Sequence, residues 1–216
     1  MTETTNGSAA ATGPRLRGDK RAAILSGALQ AFARDGFTRA SIDTIANEAG
    51  VSTRTIYKHF TDKTTLFTTV ITESAATVAA HETALIELHL DAVASRDQVE
   101  PALAAFAHAW LTYTGQPDAH RALIRQVDTE ADHLSAEAVT AWWQAGPARV
   151  RAELAARLRR WAEAGLLRAD DAERAAVHFA FLVSATPGPP GTPTTIRGRK
   201  DWITAGVRAF LRGYHA

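Results

Sequence analysis

The chain has 216 residues, no cysteine, 46% hydrophobic residues and a formal net charge of +1. That length suits one large or two small domains with a packed core. The absence of thiols excludes a disulfide framework and a thiolate metal site and fits a reducing cytosol. The first fourteen residues hold no basic cluster followed by an apolar run, and no stretch reaches the roughly 20 apolar residues of a membrane span, so neither a signal peptide nor a membrane segment is expected.

Charge is unevenly spread. Residues 15–63 hold nine Lys/Arg against five Asp/Glu, whereas residues 64–216 hold fifteen against seventeen. An imbalance of this size also arises by chance, and it gains meaning only from the motif it surrounds. Residues 1–14, rich in Thr, Ser, Ala and Gly, are expected to be disordered. A first helix is predicted over 19–35, with Ile24, Leu25, Ala28, Leu29 and Phe32 as its buried stripe and Gly36 as the residue beyond its end.

The stretch 41–60, SIDTIANEAGVSTRTIYKHF, reads as two short helices and a tight turn. Ile42, Ile45, Ala46 and Ala49 repeat at helical spacing. Ser41 caps this helix, with Asp43 in its first turn. Gly50 stops the pattern as a residue free to take positive φ, and Ser52 caps the second helix. Ile56 and Phe60 continue the apolar stripe. Thr53, Arg54, Tyr57 and Lys58 lie on the other face, with His59 beside them. Helix, glycine turn and short polar-faced helix are the parts of a helix-turn-helix.

The order of these residues resembles the TetR family of bacterial transcription regulators. Gly36-Phe37, Ser41-Ile42, Ile45-Ala46, Ala49-Gly50-Val51-Ser52, Ile56-Tyr57, His59-Phe60 and Asp62-Lys63 all fall where the family pattern puts them. The resemblance is specific over the first third of the chain; the remainder matches only in being helical and of suitable length. It implies an all-α protein: a tail of residues 1–14, a three-helix DNA-binding domain over 15–62, and a larger helical bundle over 63–216 for ligand binding and dimerisation. It implies no cofactor.

Site residues come from the motif and the resemblance together. Arg54 is suited to bidentate hydrogen bonds with guanine O6 and N7. Thr53 and Thr55 offer a methyl or a hydroxyl to base or phosphate, and Lys58 reaches either. The resemblance places Tyr57 and His59 on phosphate; for Tyr57 the alternative is packing into the core. Lys63 resembles the family's phosphate-binding lysine. A phosphate is expected near the N-terminus of the 42–49 helix, where free N–H groups attract anions. Thr38, Ser41 and Thr44 add hydroxyls there, and Ser41 and Ser52 cap helices as well. Arg15 and Arg17 either reach a minor groove or phosphate, or form a solvated basic tail.

Thr61 is expected to cap a long fourth helix reaching about residue 92, which begins in the DNA-binding module and ends in the next. After a break at 95–97, a helix over 98–114 carries Phe106, Trp110 and Tyr113 near one face. Another runs from Asp118 to about 130. The cluster Asp128, Glu130, Asp132 and His133 lacks metal-ligand spacing and reads as a solvated helix end. Next come helices over 135–145 and 147–164; the arginines 149, 151, 157, 159 and 160 read as a solvent-facing surface. Asp170 or Asp171 caps a helix to 184, the stretch 187–193 is a stiff connector, and the last helix covers 200–214. The resemblance pairs these last two helices with the same pair in a second copy, giving a homodimer whose two-fold axis matches a palindromic operator.

All five tryptophans lie beyond residue 64. Phe106, Trp110, Trp142, Trp143 and Phe179 either line an effector pocket, with His108, His178 and Arg121 as polar contributors, or form core. There is no Gly-rich phosphate loop, zinc-type histidine pair or nucleophile elbow, so an enzyme is not expected. The predicted function is a DNA-binding transcriptional regulator, a repressor released from its operator by a small molecule; the alternative is a helical small-molecule-binding protein without operator binding.

Overall fold

The structure, a computed structural model, describes residues 14–112, 118–130, 134–184 and 196–214, with the side chains of residues 14–17, 118, 121, 128, 196 and 197 outside that description. Among the described residues every regular element is an α-helix: α1 (Pro14–Arg39), α2 (Ile42–Ala49), α3 (Thr53–His59), α4 (Lys63–Leu90), α5 (Arg96–Thr112), α6 (Asp118–Thr129), α7 (Ala136–Ala145), α8 (Pro147–Glu163), α9 (Ala172–Ser184) and α10 (Ile196–Gly213). They form two compact units. The first comprises residues 1–71 and 118–135, so it takes in α6; the second comprises 72–117 and 136–216.

In the first unit, α1 begins five residues before the predicted start, and its regular helix breaks at Gly36, with φ 76° and ψ 177°. The buried stripe is Ile24, Ala28, Ala31 and Phe32. Phe32 meets Phe67 edge to face at 4.9 Å between ring centres, and Phe37 packs on the same ring at 4.9 Å. Ile45, Ala46, Ile56, Phe60 and Leu66 complete this core. Arg34 on α1 bonds Glu48 on α2 at 2.5 Å and its neighbour Asp35 at 2.7 Å.

The caps decide where the helices start. Thr61 does not cap α4. Asp62 does: the Thr65 N–H donates to its Oδ1 at 2.7 Å, and the Asp62 carbonyl opens the helical ladder by accepting from the Leu66 N–H. A carboxylate is also the better partner for the positive end of a helix. The main-chain N–H of Thr65, then its hydroxyl, hold the Asp62 carboxyl below the usual carboxylate range. Helix α5 starts two residues early because Ser95 and Gln98 form half of a capping box. The Gln98 Oε1 accepts from the N–H groups of Ser95 at 3.2 Å and Ala94 at 2.8 Å. Asp171, rather than Asp170, caps α9, accepting from the Arg174 N–H at 2.9 Å.

The second unit is built on an aromatic run. Phe106 stacks on Trp110 at 5.7 Å and on Phe179 at 6.0 Å; Phe179 meets Phe210 edge to face at 5.4 Å, and Phe210 stacks on Tyr214 at 4.6 Å. Ile86, Leu90, Leu103, Leu154, Leu158, Trp161 and Val207 surround it. Helices α9 and α10 cross closely at Gly206, where a Cβ would stand 2.4 Å from the Leu182 carbonyl oxygen, so only glycine fits that crossing. The arginines of α8 divide. Arg159 and Arg160 are exposed, whereas the Arg157 side chain is only 13% exposed and lies between Asp91, at 2.9 Å, and Glu153. Its predicted solvent-facing place is therefore corrected: two carboxylates draw its guanidinium inward.

Burial raises the Glu82 carboxyl above its ordinary value, and a hydrogen bond from the Trp110 side chain offsets part of that. An acid raised in the folded state costs nothing below its unfolded pKa, and the cost grows as pH climbs from there through the folded value. Glu82→Gln is therefore expected to raise the chemical-denaturation midpoint near pH 7, with the gain fading below about pH 4. Urea titrations at both pH values check this.

Candidate nucleic-acid interface

The turn between α2 and α3 is closed by the sequence AGVS. Gly50 takes φ 63° and ψ 33°. The Val51 N–H donates to the Ala46 carbonyl at 3.0 Å and the Gly50 N–H to the Asn47 carbonyl at 3.2 Å, the paired bonds of a Schellman end. Ser52 then caps α3: its Oγ accepts from the Thr55 N–H at 3.2 Å and lies 2.9 Å from the Thr55 hydroxyl. At α2, Ser41 Oγ accepts from the Thr44 N–H at 3.0 Å and lies 2.9 Å from the Thr44 hydroxyl. Both serines and both threonines are thus tied to helix starts. Each hydroxyl pair shares one short bond, which leaves one of its two protons for an outside acceptor.

Helix α3 buries Ile56 and turns Arg54, Tyr57 and Lys58 outward. They sit at i, i+3 and i+4 and share one face. Tyr57 is 56% exposed, so its ring is not core. Among the described residues, Arg54, Tyr57 and Lys58 make no hydrogen bond, ion pair or ring contact with the protein. Thr53 and His59 are half-exposed, the latter with its ring 6.5 Å from that of Phe60. An unpaired guanidinium, a phenol and an ammonium on one face of a rigidly capped helix are equipped to donate to base edges and phosphates. The side chains of Arg15 and Arg17 lie outside the described residues.

Lys63 stands differently from the expectation. Its Nζ donates to the carbonyls of Phe37 at 2.9 Å, Ala40 at 3.1 Å and Thr38 at 3.4 Å, and sits 4.7 Å from the centre of the Phe37 ring. An ammonium has three protons, and all three are engaged. A phosphate contact would require one of these bonds to be given up. Thr38 is also occupied: its N–H and hydroxyl both donate to Glu130. Sequence reasoning missed Asp62 and Glu130. Asp62 is legible as an acid three residues before Thr65. Glu130 stands at the polar end of the stripe Ala119, Leu123, Val127, but its use is not legible, because its partner lies 92 residues away.

Of the residues named for an effector pocket, Phe106, Trp110 and Phe179 stack together, and Trp142 and Trp143 form a separate ring pair. Phe106 and Phe179 are fully buried in the aromatic run, Trp110 is half-buried, and Trp142 and Trp143 pack together at 6.5 Å. The Arg151 guanidinium covers the Trp143 ring at 4.4 Å. His178 lies 2.8 Å from the Tyr214 hydroxyl. The side chain of Arg121, with Tyr113, Asp132 and His133, lies outside the described residues.

A sequence model of bacterial regulatory proteins of the tetR family matches residues 24–70, and one of the C-terminal domain of AefR-like transcriptional repressors matches residues 101–216. A TetR-family transcriptional regulator from Mesorhizobium loti superposes with a TM-score of 0.78 at 26% identity, over 94% of this chain and 100% of its own. The flavonoid-responsive regulator FrrA gives 0.63 at 25%, over 91% and 97%. A transcriptional regulator from Saccharomonospora viridis, solved with choline, gives 0.63 at 21%, over 90% and 96%, a likeness of fold alone. No curated protein matches.

The commitment of Lys63 to the protein makes a stability prediction. Lys63→Met keeps the aliphatic stem but orphans up to three carbonyls, and is expected to cost about 2 kcal/mol of stability. Thermal unfolding of the ligand-free protein checks this; an unchanged melting temperature would show the three bonds to be dispensable.

The two sequence matches, one of them spanning more than half of the chain, agree with the capped helix-turn-helix and the helical second unit, and the chain belongs to the TetR family of bacterial regulatory proteins as a DNA-binding transcriptional regulator.

Proposed function

We propose that the chain is a homodimeric repressor that works in the cytoplasm, occupies a palindromic operator through α3 and leaves it when a small molecule binds the second unit. The observation that carries the DNA half is the outward face of α3, where Arg54, Tyr57 and Lys58 have no protein partner among the described residues. A seven-residue helix presents too few groups for a tight site by itself, so two copies related by a two-fold axis supply the affinity. What supports the dimer is α9, which leaves Phe181 65% and Leu182 38% exposed beside the α10 crossing. Adjacent on the helix, they begin a contiguous apolar patch of the kind that marks a protein–protein interface.

The effector half is supported by polar groups held inside an apolar bundle. Glu82 is hydrogen-bonded to Trp110, and the neighbouring Thr83 hydroxyl is buried with no partner. A buried unpaired hydroxyl costs about 1–3 kcal/mol, a penalty a bound ligand would remove. The named relatives respond to or hold chemically different molecules, a flavonoid and choline, so the effector is to be sought from the residues around Trp110.

Genomic DNA selection with the purified protein is expected to enrich a two-fold symmetric site. On that site Arg54→Ala should lose roughly 1–3 kcal/mol and discriminate less against random DNA. Equal binding of operator and random duplex by parent and variant would refute the role of α3 and leave the small-molecule-binding alternative. Phe181→Glu should shift the protein from dimer to monomer in sedimentation velocity; a dimer that survives it would place the interface elsewhere.

A further inference from the structure

The residues that α6 buries recur every fourth position: Ala119, Leu123 and Val127. This helix packs chiefly on α1. Three residues further, the same face ends in Glu130, whose N–H still bonds the Gln126 carbonyl at 2.9 Å. A carboxylate in that place looks like a solvated helix end from the sequence, but it is engaged. Thr38 donates its main-chain N–H to Glu130 Oε2 at 2.9 Å and its hydroxyl to the same oxygen at 3.2 Å. The other oxygen lies over Gly36, where a Cβ would stand only 2.1 Å from it. Gly36 therefore serves twice: its φ of 76° turns the chain, and its missing side chain leaves the space the carboxylate fills.

The same five residues, 36–40, are gripped by a cation as well. Lys63, the first residue of α4, takes the carbonyls of Phe37, Thr38 and Ala40. Opposite charges thus hold the two polar sides of one short turn, the acid taking donors and the base taking acceptors. The turn leads directly into Ser41, the cap of α2. Its position fixes where α2 begins and, through the closed Gly50 turn, where α3 begins.

We propose that Glu130 is a positioning residue for DNA binding, its carboxylate setting the 36–40 turn and with it the N-terminus of α2. This rests on the DNA-binding reading above. Helix α6 and the turn lie in the same compact unit, so the carboxylate holds the turn from within the DNA-binding unit.

The test uses the full chain and the selected operator. Glu130→Ala is expected to weaken operator binding about tenfold by fluorescence anisotropy and to speed amide exchange at Thr38. Glu130→Gln keeps an acceptor for the Thr38 N–H and should recover most of the affinity and the protection, which a loss of bulk packing would not predict. Thr38→Val removes only the 3.2 Å bond and should weaken binding about two- to threefold, which keeps the test alive if Glu130→Ala fails to fold. Parent-like binding by Glu130→Ala, or by Thr38→Val where the alanine variant is unfolded, would overturn the proposal, as would a glutamine variant no better than alanine. Arg54→Ala serves as the control: loss of discrimination there with parent-like Glu130→Ala sinks this inference alone, whereas no change in either sinks the reading of α3 as well.

Discussion

The grip of the Lys63 ammonium on the carbonyls of Phe37, Thr38 and Ala40 is the constraint on which the DNA-facing part of the structure depends. Helices α2 and α3 have eight and seven residues. Helices this short are marginal on their own, because nucleation costs more than so few hydrogen bonds return. They exist here because Ile45, Ala46, Ile56 and Phe60 are buried against the first unit's core and because both ends of the pair are fixed. The far end is fixed by the cap at Asp62 and the near end by the Lys63 bonds, and the two residues are adjacent in sequence. One dipeptide thus closes the module: Asp62 starts α4, and Lys63 reaches back 26 residues to hold the entry to α2.

What is legible in the sequence divides along the range of the interaction. Ser41, Ser52 and Gly50 are readable as caps and turn because each acts within about five residues of itself, and local rules govern that distance. The cap expected at Thr61 is displaced by one position, since a threonine and an aspartate in succession both satisfy the local rule and the stronger acceptor takes the place. The use of Lys63 and Glu130 is not legible. Their partners lie 26 and 92 residues away, and no pattern of residue types reveals that an exposed-looking charge will meet a main-chain turn. The same holds for Arg157, whose partner Asp91 is 66 residues distant.

In the second unit the apolar stripes tell which side chains are inside but not what the inside is for. Phe106 and Phe179 are candidates for a lining by sequence, and both are wholly buried within the aromatic run. A stripe of aromatics at helical spacing has the same appearance whether it faces a cavity or another helix. The informative groups are instead the polar ones that burial penalises, Glu82 and Thr83. The first is distinguishable by the partner it finds and the second by the partner it lacks. Neither stands out in the sequence, where one glutamate and one threonine on a long helix resemble any solvated face.

The energies involved suggest how small a rearrangement a regulator of this kind needs. A tenfold change in operator affinity is about 1.4 kcal/mol, no more than one or two hydrogen bonds contribute net of their hydration. The 36–40 turn is held by five such bonds from two charged side chains. Turning the Glu130 carboxylate away from Thr38 would break two of the five and leave the three Lys63 bonds in place. On the proposed function, linkage requires the reverse as well: a ligand that disfavours the arrangement of the turn DNA favours must bind less tightly while DNA is held, and by the same factor. On the proposal above, rigid cores and short charged contacts divide the work, the first keeping α2 and α3 folded and the second deciding where they point.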